Sequence, residues 1–113
     1  MLSKCDLQQM HSKYNQKYFG NKLSMPTFKW LTCRLPYGRY IAANNLIQIS
    51  VTAKRWSVDF LKDTLIHEMI HQYEYERLGG GKYSLIHHGL RFYFVRWRLK
   101  KKYGLCISGG SVF

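Results

Sequence analysis

The chain has 113 residues, 46% of them hydrophobic and 16% aromatic, which predicts one folded domain over residues 1–113 and excludes a disordered chain. Eighteen lysines and arginines stand against six aspartates and glutamates, a formal net charge of +12. Such an excess favours a polyanionic partner, most simply nucleic acid. No apolar run reaches membrane-spanning length, and the first residues lack a signal peptide's apolar core. We therefore expect a cytoplasmic protein without a membrane partner.

The amino-terminal half of the chain predicts one helix followed by three strands. Residues 6–19 carry apolar side chains at helical spacing, and Gly20 and Asn21 end that helix. Asn44 and Asn45 tolerate the left-handed backbone of a tight turn, so they are expected to join the second strand to the third. The predicted strands are residues 27–35, 39–43 and 46–51. Together they indicate a small antiparallel or mixed sheet.

A second helix is predicted from Ser57 to the three glycines at 79–81. Ser57 can cap the free backbone N–H groups of the first turn, and the glycines terminate the helical pattern. A stripe of apolar residues at helical spacing is expected to face the core. Its members are Val58, Leu61, Leu65, Met69 and Tyr73.

This helix contains the pentad His67-Glu68-Met69-Ile70-His71, which is the most informative motif of the chain. Two histidines four residues apart project from one helical face and can share a metal ion. Glu68 can accept a proton from a water that the metal activates. The pattern predicts one catalytic Zn²⁺. The alternative is a buried helix with two satisfied histidines and a salt-bridged glutamate.

A catalytic zinc usually has three protein ligands, and few residues qualify as the third. The position at which metzincins carry their third histidine is Arg77, and no aspartate or glutamate follows Glu76. The remaining downstream candidates are His87, His88 and Cys106, among which spacing alone does not choose.

Two other polar residues have simpler interpretations. His11 is expected on the surface of the first helix. Glu74 could orient His71, but a surface carboxylate is the expected role.

The final helix is predicted over residues 89–103 and carries two stripes. Leu90, Phe94 and Trp97 form an apolar stripe, which we interpret as core rather than as a surface for stacking bases. The candidate nucleic-acid contacts are Arg91, Arg98, Lys100, Lys101 and Lys102. Candidate stacking residues are Tyr93 and Tyr103 on the same helix and, elsewhere in the chain, Trp30 and Trp56.

Three segments together resemble the SprT-like family, which includes DNA-dependent metalloproteases of the Spartan type. They are YFGNKL at residues 18–23, TLIHEMIH at residues 64–71 and HGLRF at residues 88–92. The resemblance implies an α+β fold, a zincin-like minimal metalloprotease domain in which a small three-stranded sheet lies beside the HExxH helix. It implies that His67, His71 and His88 bind zinc and that Glu68 is the general base. It also implies single-stranded DNA and DNA-bound proteins as partners.

Cys5, Cys33 and Cys106 form no CxxC pair, so the zinc ribbon of many family members is not expected, and a reducing compartment is. The resulting hypothesis is a zinc-dependent endopeptidase, with Tyr83 or an arginine stabilising the oxyanion. It would act on DNA-bound or DNA-crosslinked proteins. The alternatives are a basic nucleic-acid-binding module with a structural zinc and a zinc peptidase unrelated to DNA.

Overall fold

The computed structural model describes residues 3–32, 37–51, 57–78 and 90–107, and its elements follow the order that the sequence predicts. Three helices accompany one small sheet in these ranges, which confirms the α+β class. No helix among the described residues is both long enough and apolar enough to cross a membrane. The elements are α1 (Lys4–Tyr18), β1 (Thr27–Leu31), β2 (Gly38–Ile41), β3 (Leu46–Ser50), α2 (Val58–Leu78) and α3 (Leu90–Tyr103).

Helix α1 begins two residues before the predicted start because Ser3 and Asp6 form a capping box. The Ser3 backbone N–H donates to Asp6 Oδ2 at 2.8 Å, and the Asp6 N–H donates to Ser3 Oγ at 3.3 Å. Asp6 therefore lies inside the first turn, where its charge also suits the helix dipole. At the other end Gly20 and Asn21 have φ values of 61° and 60°, and the Asn21 N–H donates to Asn15 O at 3.0 Å.

The sheet is mixed, with β3 between the other two strands: β1 pairs with it in parallel and β2 antiparallel. The second strand is shorter than predicted, because residues 42–44 form a 3-10 turn that ends at Asn45 with φ 47°. The third ends at Ser50, one residue early, and the predicted end of the first lies outside the described residues. Ile47 and Ile49 are fully buried. Leu46 and Ser50 are buried too, because β3 is covered on both faces.

Helix α2 packs against the sheet and against both other helices. The Phe60 N–H donates to Ser57 Oγ at 3.0 Å, which confirms the predicted cap. The predicted stripe is buried from Leu61 onward, but Val58 is 70% exposed. Val58 is the first helical residue, and this end of the helix extends past the core.

Helix α3 buries the face opposite to the one predicted. Phe92, Val95 and Leu99 are buried, whereas Phe94 and Trp97 are each 54% exposed. The interpretation of the Phe94 and Trp97 stripe as core is therefore wrong. Both stripes have helical spacing, so periodicity could not choose between them, and contact with α2 decides which is buried.

Candidate metal centre and basic face

The histidine pair lies in the buried middle of helix α2. His67 and His71 are 3% and 1% exposed, and their ring centroids are 5.3 Å apart. One turn of helix separates them, so the two imidazoles share a face. Their closeness allows one metal ion to contact both rings.

Phe92 of helix α3 packs against both imidazole rings. Its ring centroid lies 4.8 Å from that of His67 and 4.7 Å from that of His71, and the side chain is fully buried. Phe92 is the last residue of the HGLRF segment that resembles the family, so the sequence marked the residue. It did not predict that the ring contacts the two histidines. Helix α3 therefore covers the histidine pair through Phe92.

Glu68 lies between the two histidines in sequence and is 1% exposed. The backbone N–H of Tyr40 donates to its carboxylate, while Oε1 has no hydrogen-bond partner among the described residues. Burial raises the pKa of Glu68 well above its usual range, and the Tyr40 N–H opposes this shift only in part. One oxygen is thus anchored to strand β2, and the other is available for a proton.

Gly38 lets strand β2 approach helix α2 closely enough for this contact. A Cβ atom there would lie 2.9 Å from Thr64 Cγ2, 3.2 Å from Gln48 O and 3.3 Å from Glu68 Cγ. These distances are shorter than ordinary van der Waals contacts, so only glycine fits without a shift. The spacing between β2 and the Glu68 side chain therefore depends on Gly38.

Glu74 is buried, and the expectation of a surface carboxylate is wrong. It is 2% exposed, and its Oε1 lies 3.4 Å from Nδ1 of His71. Helix α2 has neighbours on several sides, so a polar residue away from its main apolar stripe is buried as well. The Glu74 carboxylate therefore lies beside the Nδ1 side of the His71 ring.

His11 is also fully buried, which contradicts its expected surface position. Its Nε2 lies 2.9 Å from Oε1 of Gln72, whose Nε2 donates to Ser24 O at 2.8 Å. Because Gln72 uses its amide N–H groups elsewhere, His11 carries its proton on Nε2 and donates it. Burial lowers the pKa of His11. The bond joins α1 to the residue next to His71.

A chain of hydrogen bonds continues from Gln72 to strand β2. Glu76 accepts from the Ser24 N–H at 3.1 Å, and Asn45 Nδ2 donates to Ser24 Oγ at 2.9 Å. The Tyr40 hydroxyl then donates to Asn45 Oδ1 at 3.0 Å. Burial raises the pKa of this hydroxyl, which keeps its proton. The network connects α1, the β2–β3 turn and α2 behind the site, and it ends at the residue whose backbone holds Glu68.

The two histidines and Glu68 are of the residue types that hold and serve a zinc ion, although the described residues do not include a third ligand. Two imidazoles and an adjacent carboxylate with an unpaired oxygen are ligand and base types of catalytic zinc sites. Within the described ranges no three His, Cys, Asp or Glu residues group as a metal site, so Cys106 does not join the pair. The other predicted participants, His87, His88 and Tyr83, lie outside the described residues.

The predicted basic contacts lie on the exposed part of α3. Lys100, Lys101 and Lys102 are exposed, and the Arg98 guanidinium lies 5.9 Å from the Tyr73 ring centroid. The Arg91 side chain and Trp56 lie outside the described residues, and Trp30 packs against the core. Tyr93 and Tyr103 are 42% and 40% exposed.

A small mixed sheet beside a helix that carries two histidines and a glutamate at this spacing defines a zincin-like metallopeptidase domain. The chain matches the SprT-like family over residues 7–109. It belongs to that family, which confirms the resemblance noted in its sequence. A comparison with curated proteins finds no match.

Proposed function

We propose that this protein is a zinc-dependent endopeptidase that acts on proteins bound or crosslinked to DNA. The observation that carries the proposal is Glu68, a fully buried carboxylate with one oxygen unpaired among the described residues. Burying such a group costs stability unless it gains a partner. A helix selected only for packing would not keep it beside two histidines, whereas a peptidase needs it there as a base.

We propose His67, His71 and His88 as the zinc ligands. Phe92 contacts both imidazoles of the pair and follows His88 by four residues. The closeness of His88 to Phe92 in the sequence supports His88 as the third ligand. Glu74 supports the same assignment, because it can hold Nδ1 of His71 while Nε2 binds the ion.

Zinc in this position would supply a Lewis acid that polarises a peptide carbonyl and makes water more acidic. Glu68 takes the proton from the attacking water and later delivers it to the leaving amine. Its buried position keeps the carboxylate close to the reacting groups. Its contact with the Tyr40 N–H fixes which oxygen faces them.

The DNA association is supported by the distribution of charge. Helix α3 has six lysines and arginines and no acidic residue, and five of the six acids of the chain lie on α2. A basic face of this kind attracts the phosphate backbone and would concentrate DNA-bound proteins near the histidine pair.

The test is cleavage by the zinc-loaded protein with single-stranded DNA, beside Glu68→Gln and the control Asp59→Asn. Asp59 is an exposed acid at the start of the same helix, so the control removes the same charge away from the site. Both self-cleavage and cleavage of a protein crosslinked to the oligonucleotide would be followed on gels. We expect fragments from the wild type and from Asp59→Asn, and a loss of about 10²–10⁴-fold in rate for Glu68→Gln.

A second candidate is a nucleic-acid-binding module in which zinc is structural, which the exposed basic face of α3 favours. If wild type and Glu68→Gln both bind zinc and DNA and neither cleaves any substrate, this candidate replaces the peptidase. If the wild type cleaves equally well with and without DNA, the function is a zinc peptidase unrelated to DNA.

A further inference from the structure

Helix α3 presents its aromatic side chains to solvent on the side opposite its buried stripe. Tyr93, Phe94 and Trp97 are 42%, 54% and 54% exposed. Lys100 and Lys101 continue the same side of the helix one turn later. We call these five residues the aromatic–basic face. Large exposed aromatic side chains next to each other usually mark a binding surface.

The rings of this face lie close to one another and to the cations of Lys101 and of the neighbouring Arg96. The ring centroids of Phe94 and Trp97 are 6.2 Å apart at an interplanar angle of 34°. Lys101 Nζ lies 5.0 Å from the Trp97 ring centroid, and Arg96 Cζ lies 5.9 Å from that of Tyr93. Flat apolar surfaces thus alternate with positive charge, and helix α3 has no acidic residue to neutralise it.

A cleft of about 240 Å³ opens beside these rings. Its walls are Tyr93, Arg96, Trp97 and Lys100 on one side and residues 105–107 on the other. Arg96 Nε donates to the backbone carbonyl of Ile107 at 2.7 Å, which holds the second wall against the helix. The cleft therefore combines aromatic walls with a positive rim.

We propose that the aromatic–basic face binds single-stranded nucleic acid, with unpaired bases stacking on Phe94 and Trp97 and phosphates pairing with Lys100 and Lys101. Every base has a π-face, so aromatic platforms between cations bind single strands without strict sequence preference. A duplex keeps its bases stacked inside and would leave these rings uncovered. An acidic peptide would satisfy the lysines but not the rings. The proposal deepens the proposed function by assigning its DNA contact, and it does not depend on zinc chemistry.

The test measures binding by fluorescence anisotropy with three labelled probes: oligo-dT, an abasic oligomer of equal length and charge, and polyglutamate. The full chain carrying Glu68→Gln is used as the reference, so that self-cleavage cannot remove protein during the titration. We expect oligo-dT to bind at least about fivefold more tightly than the abasic oligomer, because each stacked base contributes to affinity. Trp97→Leu and Phe94→Leu keep an apolar side chain and should reduce this preference, most strongly together.

Two lysine variants distinguish the contribution of charge to binding from that of base stacking. Lys101→Ala should weaken oligo-dT and the abasic oligomer alike and reduce the salt dependence of both, because it removes a phosphate contact. Lys29→Ala removes the same charge from strand β1 and should change binding much less. Thermal melting of each variant checks that the fold is retained, as expected for half-exposed positions.

Equal affinity for oligo-dT and the abasic oligomer would overturn the proposal, as would leucine variants that keep the full preference for bases. If polyglutamate binds as tightly as oligo-dT and the same leucine variants weaken its binding, the partner of this face is an acidic protein segment and not nucleic acid. These outcomes are independent of peptidase activity. If cleavage depends on DNA but the leucine variants bind DNA as the reference does, the peptidase proposal stands and only the assignment of the DNA contact to this face is wrong. If binding depends on the bases but no substrate is cleaved, only the proposed peptidase activity is wrong.

Discussion

The middle of helix α2 buries polar side chains, whereas the outer face of helix α3 exposes large aromatic ones. Helix α2 buries two histidines, two glutamates and Gln72, each at most 3% exposed. Helix α3 leaves Phe94 and Trp97 half exposed, with Lys101 beside the Trp97 ring. Buried polar groups and exposed large apolar groups are the informative exceptions to the rule that apolar residues lie inside.

The two exceptions indicate two different kinds of site. The polar groups inside α2 are enclosed by protein and contact Phe92 and the Tyr40 backbone, so they suit a small ligand such as a metal ion. The rings on α3 are half exposed and suit a partner of variable sequence. Variants of Phe92, Gly38, Glu74 and His11 test this difference, in order of decreasing expected effect.

The comparison is sharpest within helix α3 itself. Phe92→Ala should lower the free energy of unfolding by about 3–5 kcal/mol, because it empties a fully buried site and releases both imidazole rings. Trp97→Ala should change it by less than about 0.5 kcal/mol. Chemical denaturation of the two variants checks this. Similar losses for both would mean that the two faces of α3 do not differ as described.

Gly38→Ala should destabilise the protein by about 1–3 kcal/mol, since the added methyl group meets Thr64 and the Gln48 carbonyl. It should also lower peptidase activity by displacing the Glu68 side chain. Gly104→Ala is the control, because Gly104 has φ 67° and no atom within 4 Å of an added Cβ. That variant should lose stability through backbone strain and keep its activity per folded molecule. Equal activity of the two variants would argue against a role of Gly38 in placing Glu68.

Glu74→Gln should weaken zinc binding about 10–100-fold, which is the usual effect of removing the group that orients a metal-bound histidine. Competition with a chelator measures this affinity. Asp59→Asn, which removes an exposed charge from the same helix, should leave zinc affinity close to that of the wild type. If both variants weaken zinc binding equally, the effect is one of net charge and not of the contact with His71.

The buried His11 should make stability depend on pH below about 6.5, its ordinary pKa. Burial holds its folded-state pKa lower, so below 6.5 the unfolded chain takes up a proton that the folded protein refuses. Stability should therefore fall as the pH drops from 6.5 towards the folded-state pKa, with a slope of at most about 1.4 kcal/mol per pH unit. His11→Gln keeps a hydrogen-bond donor towards Gln72 but has no group that titrates in this range. Its stability should therefore depend less on pH below 6.5. Denaturation at several pH values tests it, and an unchanged slope in the variant would contradict the assignment.

The sequence alone determined the order of the elements, the cap at Ser57 and the left-handed turn at Asn45, because each depends on neighbouring residues. It also determined the family and the pairing of His67 with His71 on one helical turn, since helix periodicity fixes which residues share a face. It indicated a strongly basic carboxy-terminal helix. In each case the information lies within a few residues of the feature itself.

Only the tertiary structure decided which side of α3 is buried and which polar residues of α1 and α2 are enclosed. His11 and Glu74 looked like surface residues because polar side chains usually are, but packing between α1 and the sheet and around α2 encloses both. On α3 two apolar stripes had equally good spacing, and contact with α2 selected the stripe that contains Phe92. The physical reason is that burial depends on which surfaces other elements cover. That depends on residues far away in the chain, which local patterns do not report.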